Sequence, residues 1–131
     1  MKTIDISTST RSQLVDITDK VRKALAESGV KDGLCVLWVP HTTAGITINE
    51  NADPSVARDI LMELDRRIPW EDGYAHSEGN SAAHVKSSLV GCEKTLLIEG
   101  GRLALGTWQG VYFCEFDGPR KRQVWLKIVQ C

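Results

Sequence analysis

The run GLCVLWVP, at residues 33–40, is the feature of this sequence that most restricts its fold. The run is continuously apolar, and a glycine and a proline bound it. This pattern is typical of a β-strand that is buried on both faces, because a strand with one face in water alternates apolar and polar residues. We therefore predict a buried strand at residues 33–40.

Other segments with strand character surround this run along the chain. They are short, and turn residues such as the Asp117-Gly118-Pro119 sequence separate the later ones. The predicted strands include residues 4–6, 14–17, 46–48, 95–99, 103–109, 111–116 and 124–128. Because the late strands follow one another with short turns, the sheet is predicted to be mainly antiparallel, with about seven to eight strands.

Three segments have the apolar spacing of amphipathic helices, and each lies between a capping residue and a breaker. The caps and breakers are Thr18 and Gly29, Asp53 and Pro69, and Ser81 and Gly91. Together with the strands, these helices predict the α+β class.

Length and composition limit the classes of protein to consider. At about 150 residues per domain, the 131 residues predict a single domain over residues 1–131. Sixteen basic and seventeen acidic residues exclude a globally basic nucleic-acid-binding protein. No apolar run approaches the ~20 residues of a membrane span, and the start MKTIDISTST lacks the apolar core of a signal peptide. We therefore predict a cytoplasmic protein with no nucleic-acid or membrane partner.

The three histidines of the chain, His41, His76 and His84, all lie at polar breaks next to predicted elements. Three neutral imidazoles with an open fourth position form a common catalytic zinc site. The spacing of these residues matches no established metal motif such as HExxH. Two interpretations stay open from the residues alone: one metal site, or three unrelated surface histidines.

Two carboxylates follow His41 at the end of the next predicted strand, Glu50 and Asp53. Glu50 is a candidate general base or a partner of a metal ligand, and its alternative is a solvated turn residue. Asp53 is also a candidate catalytic carboxylate. Helix capping alone, however, explains an aspartate directly before Pro54.

Arg102 and Arg120 are candidates for binding an anionic group, since a guanidinium matches the geometry of phosphate. Arg120 follows the turn at residues 117–119, which could fix its direction. The neighbouring Lys121 and Arg122 are more simply interpreted as a solvated basic turn.

Three segments, PHTTAGITINEN, HSEGNSAAHVKSSLVG and LALGTWQGVYFCEFDGPRKR, resemble the YjbQ family in sequence and in order. The resemblance covers nearly the whole chain and implies an α+β fold that assembles as a homotrimer. It also favours the metal site, since His41, His76 and His84 fall within these motifs. The same motifs contain four polar residues that we assign to substrate binding together with Arg102: Thr42, Thr43, Asn80 and Gln109.

Some members of the YjbQ family carry the name secondary thiamine-phosphate synthase, and the resemblance implies this activity. The reaction joins a pyrimidine pyrophosphate to a thiazole phosphate. Glu50, Asp53 and Arg120 are then the catalytic candidates, with a divalent metal as the cofactor and zinc as the expected ion. Histidine ligands also suit hydrolysis by a metal-bound hydroxide. The alternatives are therefore a metal-dependent hydrolase of a phosphorylated or acyl metabolite, or a non-catalytic trimer that binds an anionic metabolite.

Overall fold

The computed structural model describes residues 1–131, which form eight strands and three helices. In chain order the elements are β1 (Lys2–Ser7), β2 (Gln13–Asp16), α1 (Thr18–Ser28), β3 (Gly33–Trp38), β4 (Ala44–Glu50), α2 (Pro54–Arg67), α3 (Ser81–Val90), β5 (Glu93–Glu99), β6 (Arg102–Leu103), β7 (Gln109–Glu115) and β8 (Lys121–Gln130). The prediction of an α+β fold with antiparallel strands is confirmed. None of the three helices has both the length and the apolar character needed to cross a membrane.

The strands form two antiparallel sheets. One has five strands in the order β1-β8-β3-β5-β6, and the other has three in the order β2-β7-β4. In the larger sheet, β3 lies between β8 and β5 and pairs with both over its full length. In the smaller sheet, β7 has the central place between β2 and β4. This arrangement puts the end of β3 close to the start of β8.

The two sheets and the helices form three layers. Alternate side chains of the larger sheet, among them Leu37 and Leu126, pack against Phe113 and Ile46 of the smaller sheet. Helix α1 adds Val21 to the same core. On the other face of the smaller sheet, side chains of α2 and α3 pack around Cys114 and Phe116. No element of the chain packs on the outer face of the larger sheet.

The prediction that residues 33–40 form a strand buried on both faces is wrong for the second face. Cys35 and Leu37 of β3 are fully buried, whereas Trp38 is 45% exposed on the outer face of the sheet. The strand that is covered on both faces is β7, in which every residue from Gly110 to Glu115 is buried. The difference follows from the order of the layers. Strand β7 belongs to the smaller sheet, which lies between the larger sheet and helices α2 and α3.

Two local predictions also need correction. The strand predicted at residues 103–109 is reduced to the two residues of β6, and a turn precedes β7. Asn80, and not Ser81, occupies the N-cap of α3. Ile17, and not Thr18, occupies the N-cap of α1, and the backbone N–H of Thr18 donates to the carboxylate of Asp16 at 3.0 Å. The cap at Asp53 is confirmed, since its side chain accepts the N–H of Ser55 at 2.9 Å.

Candidate anion site

His41 lies just beyond the end of β3, beside the start of β8. The backbone N–H of Gln123 donates to its Nε2 over 2.9 Å, so the neutral ring carries its proton on Nδ1. Partial burial lowers the pKa of His41, and the positive charges of Arg122 and Arg120 lower it further. The ring is therefore neutral at pH 7 and presents an N–H group, while its Nε2 is already engaged.

Arg122 on β8 precedes Gln123, lines the same cavity as His41 and is 4% exposed. Its Nε donates to both carboxylate oxygens of Glu115, at 2.9 and 3.2 Å, and its Nη2 donates to Thr43 Oγ1 at 2.9 Å. The remaining nitrogen, Nη1, has no hydrogen-bond partner within the chain and is not sealed from solvent. One end of a buried guanidinium is thus available to a ligand.

Glu115, at the end of β7, is fully buried and holds this arginine in place. Its carboxylate also accepts Thr8 Oγ1 at 2.7 Å and the backbone N–H of Asp117 at 3.1 Å. Burial alone would raise the pKa of Glu115, but the hydrogen bonds from Arg122, Thr8 and Asp117 outweigh it and lower the pKa. The group is therefore ionised at neutral pH, and it fixes the turn that follows β7.

Arg120 leaves this turn with its side chain fixed at two points. Its Nε donates to the backbone oxygen of Asp117 at 2.9 Å, and its Nη2 donates to the Asp117 carboxylate at 3.2 Å. The same carboxylate accepts Nδ2 of Asn80 at 2.9 Å. The turn requires glycine at position 118, because a Cβ there would lie 2.3 Å from the backbone oxygen of Thr10. Arg120 and Asn80 are thus joined through one acid.

These residues surround a cavity of about 500 Å³, which we call the His41 pocket. Its lining consists of Trp38, Val39, Pro40, His41, Thr42, Thr43, Cys92, Arg120 and Arg122. A second cavity of about 520 Å³ lies on the other side of His41 and shares Arg122 with the first. The pocket combines two arginines with threonine hydroxyl groups and a histidine ring, and such donors are typical of an anion-binding site.

The structure places the other two histidines in a separate pair. His76, in the loop before α3, and His84, in α3, have ring centroids 5.5 Å apart in an edge-to-face arrangement. Nε2 of His76 lies 3.9 Å from the carboxylate of Glu78. No three side chains among the histidines, cysteines and acids of the chain form a group that could hold a metal ion. Within one chain, the three predicted ligands therefore do not meet at one point.

Several predicted site residues lie far from the His41 pocket. Glu50 and Gln109 pair with each other at the end of β4 opposite to Thr43, roughly 20 Å along the strand. Asp53 caps α2 just beyond Glu50. Arg102 pairs with Glu99 at the opposite end of the larger sheet. At the His41 pocket, the structure brings together His41, Thr42, Thr43, Arg120 and, through Asp117, Asn80.

The predicted site residues include neither Arg122, which lines the pocket, nor Glu115, which binds Arg122. The sequence does contain a signal for Arg122, because it is in phase with Val124 and Leu126, which face the core. A charged residue at an inward position of a strand needs a buried partner. Glu115 is harder to find, since it ends a strand that is buried on both faces and shows no alternation.

Comparison with known proteins adds relatives along the whole chain. A family model described as "UPF0047 protein YjbQ-like" matches residues 2–131. A UPF0047 protein of Methanocaldococcus jannaschii is 58% identical over 95% of this chain and 90% of its own length. The UPF0047 protein YugU of Bacillus subtilis is 52% identical, with 98% of each chain covered.

Solved structures of similar proteins have the same fold. A YjbQ/UPF0047 family protein of Clostridium acetobutylicum matches with a TM-score of 0.97 and 56% identity, over 98% of this chain and all of its own. A protein of unknown function from Sulfolobus solfataricus matches with a TM-score of 0.95 and 33% identity, over 99% and 96% of the two chains.

These comparisons overturn the predicted function. The relatives carry only a family name, and the solved structures are described as uncharacterised or of unknown function, so neither thiamine-phosphate synthase nor hydrolase activity has support. The geometry agrees, since it separates Glu50, Asp53 and Arg102 from Arg120. The chain belongs to the YjbQ-like UPF0047 family, because the family model matches residues 2–131 and two relatives are 58% and 52% identical.

Proposed function

We propose that the protein binds a small molecule with an anionic group, such as a phosphate or a carboxylate, in the His41 pocket. The observation that carries this proposal is the free Nη1 of Arg122. Burying a guanidinium is costly unless its donors are used. Nε and Nη2 are satisfied by Glu115 and Thr43, whereas Nη1 has no partner in the chain, and Arg122 belongs to the lining of the pocket. An anion is the group that such a donor binds best.

The electrostatics at His41 support the same proposal. Glu115 raises the pKa of His41, but Arg122 lowers it by more, and Arg120 lowers it again. The two arginines thus outweigh the one carboxylate in their effect on the pKa of His41, as expected of a site that favours anions. A ligand here would also meet the Nδ1–H of His41 and the hydroxyl groups of Thr42 and Thr43.

Calorimetric titration with inorganic phosphate tests this function. The wild-type protein should bind phosphate, and Arg120→Gln should bind it at least about 10-fold more weakly, because a hydrogen bond to a charged group contributes about 1.5–3 kcal/mol. Arg66→Gln is the matched control. Its guanidinium is exposed on α2 and pairs with Glu63 at 3.1 Å. Undetectable binding by the wild-type protein, or equal losses in the two variants, would contradict the proposal.

A homotrimer is the assembly that we propose for the chain. The outer face of the larger sheet supports it, because Leu97, Val129 and Trp38 are 61%, 42% and 45% exposed there. An apolar cleft of about 250 Å³ lies between Trp38 and Trp125, which are paired across β3 and β8. Contiguous exposed apolar surface of this kind marks interfaces, and a second copy of the chain would cover it. Since Trp38 also lines the His41 pocket, the pocket would then open at a subunit boundary.

A divalent metal, with zinc as the first candidate, is proposed for the pair formed by His76 and His84. A zinc ion bonded to two imidazole nitrogens at about 2.1 Å holds their ring centroids roughly 5 Å apart, and these rings are 5.5 Å apart. The pair supplies two ligands, so the ion would need further ligands from water or from a neighbouring subunit.

A cytoplasmic location is also proposed, and the four unpaired thiols support it.

A further inference from the structure

The four thiols of the chain differ in their surroundings. Cys35 and Cys114 are fully buried, and burial raises the pKa of their thiols to about 11 and about 12. These two remain protonated and out of reach of reagents. Cys131 is exposed at the end of the chain. Cys92, just before β5, is half-buried and belongs to the lining of the His41 pocket.

A second observation sets Cys92 apart from an ordinary half-buried cysteine. The same cavity contains Arg122, whose side chain is 3% exposed and whose Nη1 has no partner in the chain. Arg120 lies on its rim, with a side chain that is 49% exposed. Cys92 and two arginines thus line one space of about 500 Å³, and Cys92 also packs against the edge of the hydrophobic core. A reagent whose anionic group binds the guanidinium groups would be held next to the thiol.

We propose that Cys92 is a modification site for small disulfides that carry carboxylates. The proposal rests on anion binding in the His41 pocket. The Cys92 thiol loses its proton to solvent, and its Sγ attacks one sulfur of the disulfide. A new S–S bond joins Cys92 to that sulfur, the original S–S bond breaks, and the other half leaves as a thiolate. The disulfide is the oxidant, so the step is balanced.

The modification would also regulate the pocket. A mixed disulfide on Cys92 places the carboxylate of the bound half near Arg120 and Arg122, where the proposed ligand binds. The pocket cannot hold both at once. Oxidised small thiols would therefore inhibit anion binding, and a reductant would restore it.

Reaction rates with two aromatic disulfides test this inference. Dithiobis(nitrobenzoate) carries two carboxylates, whereas dithiodipyridine is neutral, and both release a coloured thiolate. Cys131→Ser leaves Cys92 as the accessible thiol, and Cys92→Ser leaves Cys131. We expect the ratio of the anionic to the neutral rate constant to be about 10-fold higher for Cys92, as electrostatic guidance by the pocket implies. Arg120→Gln in the Cys131→Ser background should lower that ratio, and phosphate should slow the anionic reagent.

Equal ratios for Cys92 and Cys131, or a Cys92 that reacts with neither reagent, would overturn the inference. Calorimetry with phosphate on the Cys131→Ser protein separates this failure from that of the proposed function. Phosphate binding with equal ratios leaves the anion site standing and rejects Cys92 as a modification site. Absence of both phosphate binding and selectivity rejects the two proposals together.

Discussion

The ion pair between Glu115 and Arg122 determines both the shape and the charge of the His41 pocket. The two side chains are 0% and 3% exposed, so neither charge is stabilised by bulk water. A buried pair of this kind gains little net stability over apolar residues, because desolvation offsets the attraction. Removing one member is costly, however, since the other charge is then left buried without a partner.

Glu115→Gln, which keeps the size of the side chain and removes its charge, should therefore destabilise the fold. We expect the free energy of unfolding to fall by roughly 3–5 kcal/mol, measured by urea denaturation. The matched control is Glu63→Gln on α2, where Glu63 is 45% exposed and pairs with Arg66 and Arg67. Exposed pairs contribute about 1 kcal/mol or less. Equal losses in the two variants would show that the buried pair of Glu115 contributes no more to stability than the exposed pair of Glu63.

The residues of the site differ in how far the sequence can predict them. Arg120 is predictable, because a turn that contains proline and glycine directly precedes it. The basic run at residues 120–122 predicts a solvated turn for Arg122, although alternation with Val124 and Leu126 places it inward. The bonds of Arg122 to Thr43 and Glu115 join residues that are 79 and 7 positions away. The contact with Thr43 depends on the pairing of β4 with β7, which sets Ala44 opposite Glu115 and which no local pattern specifies.

His41 should give the protein a pH-dependent stability near neutrality. Its pKa in the folded chain lies below the ordinary value of 6.5, first because of burial and then because of Arg122 and Arg120. As the pH falls below 6.5, the unfolded chain therefore takes up a proton before the folded chain does. The stabilising contribution is complete above the unfolded pKa and is lost as the pH falls through the folded pKa. The slope for one group is at most about 1.4 kcal/mol per pH unit.

Urea denaturation of the wild-type protein and of His41→Gln, between about pH 7 and pH 5, measures this contribution. The variant should lose less stability over this range. Glu115 also contributes toward pH 5, because its pKa is lowered from the ordinary value of 4.5 and the unfolded chain takes up that proton first. Both proteins contain Glu115, so the difference between their slopes isolates His41. The same slope in both proteins would show that His41 titrates normally in the folded chain.

Among the elements, the strands show how burial depends on the layer in which a strand lies. The uninterrupted apolar run of β3 predicts two covered faces, yet one face carries Trp38 and points away from the core. The strand β7 has a less regular sequence and is buried on both sides. A chain can leave an apolar face uncovered when another molecule is to cover it, and this information is not in the strand's own pattern.

Helix α3 provides a prediction that distinguishes its histidine from the one beside β8. If a divalent metal binds to His76 and His84, then His84→Ala should lose most of the bound metal, because one of two protein ligands is removed. His41→Ala should retain it, since Nε2 of His41 accepts the N–H of Gln123 and lies in another pocket. Elemental analysis of the purified proteins gives the stoichiometry. Full retention by His84→Ala would reject the site, and equal loss in both variants would restore a site built from all three histidines.

At the scale of the whole molecule, the outer faces of the two sheets differ in whether helices cover them. Helices α2 and α3 cover the smaller sheet, whereas the larger sheet has no layer on its outer face. That face presents Leu97, Val129 and Trp38, of which Trp38 also lines the His41 pocket. The overall class and nearly all elements could be predicted from apolar spacing and turn residues. The stacking order of the two sheets could not, because it depends on pairings between distant segments such as β1 and β8.

Assembly can be tested by placing a charge on this face. Leu97, on β5, is 61% exposed on the outer side of the larger sheet, opposite Leu34 of β3. Leu97→Lys should dissociate the proposed trimer, because each interface would have to bury an unpaired ammonium group. Leu89→Lys is the matched control, since Leu89 is 69% exposed on α3, in the helical layer. Light scattering should give three times the 14.5 kDa chain mass for the wild-type protein and for the control, and the mass of one chain for Leu97→Lys. A single-chain mass for the wild-type protein would reject the trimer, and dissociation by Leu89→Lys alone would move the interface to the helices.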